Sequence, residues 1–209
     1  MNNNMLTYSE VVYLFGDKFL SERSSFVNKD IHPSGEKISI KPFSKMMVIA
    51  AFLYLEEKGY ICLLTKEVKK MLFFSGKDVF ATKKRQDTRE LSGIEKALLN
   101  NIGDETKIRD AVYNLLRENE TSPWGIIINI SKKSLVEKGF LNEEVKRKFI
   151  VVSKKYYFNE KKIKEVESLY ERVRELIGKF SLKVDTYKLV ESGVLKGMAT
   201  RVEHSSSDD

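Results

Sequence analysis

Cysteine, proline, histidine and tryptophan are all scarce in this chain of 209 residues, which holds one Cys, three Pro, two His and one Trp. The lone Cys62 excludes an intramolecular disulfide and any multi-cysteine zinc site, and its apolar setting marks a small core hydrophobe in a reducing compartment. His32, in a loop, and His204, in the tail, fall outside the helical patterns and read as solvated bystanders. The longest apolar run, residues 46–55, is stopped by Glu56 and Glu57, well short of the roughly 20 residues that span a bilayer. Met1-Asn2-Asn3-Asn4-Met5 carries no basic region or small-residue cleavage site, so export is not expected and a cytoplasmic location is. Walker and dinucleotide glycine motifs are missing, and Glu56-Glu57 and Glu143-Glu144 read as neighbours that point apart on a helix. The sequence therefore predicts a protein that is not an enzyme and holds neither metal nor cofactor.

What is present is charge. Charged residues make up 32% of the chain and apolar ones 42%, and 37 Lys+Arg against 30 Asp+Glu leave a formal charge of +7. Such a length and balance suit one globular domain with a sizeable core, and the positive excess favours anionic partners: nucleic acid, acidic lipid or acidic protein. The triplet Lys83-Lys84-Arg85 reads as a solvated loop.

Thr7-Tyr8-Ser9-Glu10 has the spacing of a capping box and opens a short helix that Gly16 stops. Residues 21–44 read as loop plus a short strand at Lys37-Ile38-Ser39-Ile40, and residues 45–57 as the central core helix, since a run apolar all round must be covered on most sides. Lys58-Gly59 ends it before a buried strand, residues 60–64, and an extended hairpin over 66–89. Amphipathic patterns at Ile94, Leu98 and Ile102, and at Ile108, Val112, Leu115 and Leu116, predict two helices. Ser122-Pro123 starts another that reaches Lys138-Gly139, with Trp124 read as packing at its start. Phe149-Ile150-Val151-Val152 is expected as one arm of a hairpin and Tyr156-Tyr157-Phe158 as the return arm. A long helix from Asn159 to Gly178 and a short one over 186–195 complete the pattern. The expected fold class is mainly α, a single helical domain over residues 6–198 with a protruding apolar β-hairpin, between disordered ends at 1–5 and 199–209.

Four stretches, in order, resemble the Golgi phosphoprotein 3 family of peripheral membrane proteins. They are Leu6-Thr7-Tyr8-Ser9-Glu10-Val11-Val12-Tyr13-Leu14-Phe15-Gly16; the central apolar helix ending in Lys58-Gly59; Gly93-Ile94-Glu95-Lys96-Ala97-Leu98; and Leu135-Val136-Glu137-Lys138-Gly139-Phe140-Leu141 leading to Phe149-Ile150-Val151-Val152. The resemblance implies a peripheral protein on the cytosolic face of Golgi membranes. It implies recognition of phosphatidylinositol 4-phosphate and partners among glycosyltransferase tails and vesicle coat. It also implies a hairpin whose Phe149, Ile150 and Val151 enter the membrane or meet a second copy of the chain. Lys146, Arg147, Lys148, Lys154 and Lys155 flank that apolar segment and suit anionic headgroups. The family's phosphate-gripping Trp and Arg residues fall on Val27, Val48, Gly125 and Ile128. Lys41, Lys45, Lys132 and Lys133, in the neighbouring segments, are the candidate headgroup ligands, as point charges rather than bidentate forks.

One alternative belongs to a different class. Helix, turn, helix and basic hairpin over residues 107–158 also fit a winged-helix nucleic-acid binder, with Lys132 and Lys133 on the recognition helix. That helix carries Ile126, Ile127, Ile128 and Ile130 but no arginine, whereas groove readers present Arg, Asn or Gln.

Overall fold

The computed structural model describes residues 5–19, 29–71, 74–116, 122–148 and 151–205. Helices dominate it. Thr7 and Glu10 form the expected capping box, with the Thr7 amide donating to Glu10 Oε2 at 2.8 Å. It opens α1 (Tyr8–Leu14), which is buried throughout. The short α2 (Gly16–Phe19) follows directly. There is no room for a side chain at Gly16, where a Cβ would lie 2.7 Å from the Phe43 ring.

A small ribbon, β1 (Lys29–Ile31) and β2 (Lys37–Ser39), leads into α3 (Ile40–Glu57). α3 starts five residues before the expected Lys45, because Pro42 sits in its first turn, where the missing amide has no intrahelical partner to lose. Met47, Val48, Ala50, Ala51, Phe52 and Leu55 are fully buried, as an all-round apolar run requires, and α1 and the later helices over residues 93–100, 123–137, 167–182 and 184–205 all pack against this helix.

The strand after it is not the separate buried segment predicted. β3 (Ile61–Met71) runs unbroken as the first arm of a hairpin with β4 (Phe74–Lys83), and its Leu64 is 41% exposed. Beyond come α4 (Gly93–Asn100), the short β5 (Thr106–Lys107), which pairs with β4, and α5 (Ile108–Leu116). α6 (Pro123–Glu137) carries Pro at its first position as expected.

α3 and α6 lie side by side and run the same way. Ser44 Oγ donates to the Trp124 carbonyl at 2.7 Å near their starts, while Lys58 and Lys138, just past their ends, line one cleft. Both helices finish alike. The Tyr60 amide reaches the Leu55 carbonyl and the Phe140 amide the Leu135 carbonyl, with Gly59 at φ +71 and Gly139 at φ +73 in the left-handed region, a conformation glycine adopts without steric cost.

A second hairpin leaves this end: β6 (Leu141–Lys148) and β7 (Val151–Phe158), paired from Leu141↔Phe158 to Lys148↔Val151. The register differs from expectation. Ser153-Lys154-Lys155 lies within β7 instead of forming the turn, because cross-strand contacts fix the pairing there: Tyr156 Oη donates to Glu143 at 2.9 Å and Lys154 pairs with the same carboxylate at 2.8 Å. Glu143 and Glu144 are therefore strand neighbours on opposite faces, not a helical pair. Phe149 and Ile150 fall outside the described residues.

The long helix expected from Asn159 is divided at Val166 into α7 (Glu160–Glu165) and α8 (Glu167–Leu182), and α8 continues through Gly178. α9 (Val184–Ser205) spans 22 residues, well past the short helix expected, and covers much of the tail predicted to be disordered. It lies close against α5 at Gly193 and Gly197, where a Cβ on Gly197 would come within 2.6 Å of the Arg109 carbonyl. Among the described residues no helix is long and apolar enough to cross a membrane.

Candidate functional site

On the β6–β7 ribbon, strands with one face packed would alternate between buried and exposed positions. Here Val145, Lys146 and Arg147 on one strand and Ser153, Lys154 and Lys155 on the other are all exposed, so the distal ribbon stands clear on both faces. Its root is packed: Leu141 and Phe140 are buried, and the Phe158 ring meets His32. Lys146 pairs with Glu144 at 3.3 Å, whereas Arg147 and Lys155 have no carboxylate within ion-pair distance among the described residues. Of the predicted inserting residues, Phe149 and Ile150 lie outside the described residues, and of Val151 only the strand position is described.

The four candidate headgroup lysines do not converge. Lys41 is exposed over the ring of half-buried Trp124, at 5.5 Å. Lys45 is held by Glu191 at 2.5 Å. Lys132 is not free for a headgroup: its side chain is buried, its Nζ pairs with Asp30 at 2.6 Å, and it lies over the Tyr156 ring. Lys133, the next residue on α6, faces solvent. Trp124 and Lys132 are eight positions apart on α6, about 12 Å along the axis. Val48 and Ile128, where the family's arginines would stand, are core residues. Gly125 is half-buried, and Val27 falls outside the described residues.

His32 also departs from expectation. It is buried, with its ring against Tyr13 and Phe43. Nε2 lies 2.7 Å from the Tyr13 carbonyl, which can only accept, so Nε2 carries the proton and Nδ1 accepts from Ser34. Burial pulls its pKa below the usual value. This histidine staples the β1–β2 ribbon to α1.

Where α3 and α6 end, a buried polar network underlies the cleft. Glu10, fully buried, accepts from the Thr7 amide at 2.8 Å, Lys138 Nζ at 2.6 Å, Ser134 Oγ at 2.6 Å and Ser92 Oγ at 3.2 Å. Beside it Glu95, also fully buried, accepts from the Ser9 amide at 3.0 Å and Ser9 Oγ at 2.8 Å. Burial, and next the charge of Glu10, push the Glu95 carboxyl up to about 7. That value would suit a general base, but no substrate reaches a carboxyl sealed from solvent, so the network ties α1, α4 and α6 together instead.

The cleft above has a volume of about 690 Å³, within the range of small-ligand sites. Lys58, Arg85, Arg89, Lys96 and Lys138 line it, faced by the carboxylates of Glu90 and Glu137. Arg85 stacks 4.5 Å from the Tyr60 ring centroid and Lys58 Nζ lies 5.9 Å from that of Tyr54. Burial raises the Tyr54 hydroxyl to about 12, so it remains a neutral wall.

Sequence reasoning found neither feature. Glu10 was legible as a cap but not as the hub of a network. The signal for Glu95 was its place on the apolar stripe with Leu98, Leu99 and Ile102, where a carboxylate needs partners. Among the described residues no cluster of His, Cys, Asp and Glu could hold a metal ion. No family model, curated protein or solved structure matches the chain.

Proposed function

We propose that this protein is a non-catalytic peripheral membrane adaptor of the Golgi phosphoprotein 3 kind, docking on anionic cytosolic leaflets and engaging phosphatidylinositol 4-phosphate. The observation that carries this reading is the distal β6–β7 ribbon, exposed on both faces. Between its strands the sequence reads Phe149-Ile150, followed by Val151-Val152 at the start of β7, with Lys146-Arg147-Lys148 before and Lys154-Lys155 after. An apolar run flanked by cations suits the acyl boundary, each cation contributing about 1 kcal/mol at an anionic surface. With the lysines on α3 and α6 dispersed or paired, the charge for docking rests on the ribbon, above all on Arg147 and Lys155. The same exposed ribbon is available to a second copy, and trafficking roles with enzyme tails or vesicle coat follow from the family resemblance.

The winged-helix reading is weaker. A recognition helix needs a free face, yet α6 buries Ile126, Ile127, Ile128, Ser131, Lys132, Ser134 and Leu135, leaving Asn129, Lys133 and Glu137 as its exposed residues.

Co-sedimentation with liposomes, with and without phosphatidylinositol 4-phosphate at matched total charge, tests the proposal. Enhanced pelleting with the phosphoinositide is expected. Pelleting that tracks only total charge would refute phosphoinositide selectivity, and no pelleting at physiological salt would refute the membrane reading altogether.

A further inference from the structure

The cleft at the common end of α3 and α6 is separate from the ribbon and from the four lysines considered above. Two of its cations are already engaged: Lys138 by Glu10, and Arg89 by Asp87 at 2.7 Å. Arg85 and Lys58 differ. Neither has a carboxylate within ion-pair distance among the described residues, and they are neighbours, since Arg85 Nη1 approaches the Lys58 carbonyl at 3.4 Å.

Arg85 is also fixed from two directions. Its guanidinium lies on the Tyr60 ring, while the amides of Lys84 and Arg85 both donate to the Tyr60 carbonyl, at 2.8 and 3.3 Å. A planar fork held in place loses little freedom when it takes up an oxyanion. The Ser92 hydroxyl at the start of α4 points to Glu10, so no side chain caps that helix, and Ser92 and Gly93 face the same space. Tyr54, Tyr60 and Leu91 supply a partly apolar wall.

We infer that this cleft binds a phosphorylated ligand about the size of a sugar or cyclitol phosphate, its phosphate held by the Arg85 fork with Lys58 as a second charge. Fork and point charge line the same cleft, where Glu90 accepts from the Tyr60 hydroxyl at 3.3 Å and pairs with neither cation, and a phosphomonoester suits them better than a carboxylate, because three oxygens can be shared between the two cations. The inference does not rest on the membrane reading: the phosphate could belong to a soluble metabolite or to a lipid headgroup.

The test is isothermal titration of the full chain with inositol 1,4,5-trisphosphate and with pyrophosphate at about 0.15 M salt. One saturable site is expected. Arg85→Ala should weaken binding about tenfold or more, as loss of charge-assisted hydrogen bonds implies, Arg85→Lys should weaken it less, and Lys58→Ala should also weaken it. Arg147→Ala/Lys155→Ala, on the ribbon, should leave it unchanged. Arg85 is exposed, so circular dichroism of its variants should match the parent. Absence of a saturable site, indifference to Arg85→Ala, or equal weakening by the ribbon variant would overturn the assignment. Adding the same probes to liposome pelleting separates the sources. Arg85-dependent competition is the form the expected result takes for a lipid headgroup, and unchanged pelleting beside intact soluble binding is the form it takes for a free phosphate.

Discussion

Glu10 shows how one side chain can serve two levels of structure. Its spacing from Thr7 announces a helix start, and that much is legible in the sequence. Its bonds to Ser92, Ser134 and Lys138 depend on residues 82, 124 and 128 positions away, which no local pattern reveals. Replacing Glu10 by Ala would strand the buried Lys138 charge, and we expect a loss of about 3–5 kcal/mol in urea unfolding. A loss below about 1 kcal/mol would mean that Lys138 finds water in the native state. Glu95 carries a different signature. Its folded-state pKa, near 7, is raised from an ordinary 4.5, so the folded chain holds a proton that the unfolded chain releases. This group's contribution is therefore most favourable below about pH 4.5 and is lost as pH rises towards 7, by on the order of 3 kcal/mol. Unfolding midpoints measured between pH 5 and 8 should show this decline in the native protein and a flatter profile in Glu95→Gln. Parallel profiles would place the proton elsewhere. His32 illustrates the same blindness: a histidine in a Pro-Ser-Gly loop looks solvated until the loop folds over Tyr13.

Elements with strong periodicity or clear caps were legible, among them α1, the body of α3, α5 and α6. Their ends were legible only where glycine takes positive φ. Gly59 and Gly139 stop their helices, whereas Gly178 does not, because Tyr170, Val173 and Phe180 anchor α8 on both sides of it and outweigh a propensity cost of about 1 kcal/mol. Gly178→Ala, with nothing within 4 Å of the new Cβ, should therefore stabilise the protein by about 0.5–1 kcal/mol. Gly197→Ala should do the reverse. Its Cβ would press on the Arg109 carbonyl and Val112, forcing α9 off α5 at a cost of about 1–3 kcal/mol. Thermal unfolding of the two variants side by side checks both signs, and equal shifts would contradict the α5–α9 contact. The ribbon register was missed because Ser-Lys-Lys has turn composition, while the cross-strand Glu–Tyr and Glu–Lys contacts that override it appear only once the strands pair.

At the scale of the whole molecule, composition foretold a positive excess and hydrophobic periodicity a mainly helical protein, but neither showed where that charge would act. Part of it lies in a cleft where α3 and α6 end and part on a ribbon standing clear of the body, while Lys45 and Lys132 are tied to Glu191 and Asp30. An adaptor that docks through both cations and apolar side chains should bind membranes in a manner that salt weakens without abolishing. Flotation of the full chain with phosphatidylinositol 4-phosphate liposomes at physiological salt, comparing the parent with Phe149→Asp/Ile150→Asp, tests this most directly. The account predicts that the parent floats and the double variant stays with the soluble fraction; equal flotation of the two would contradict it.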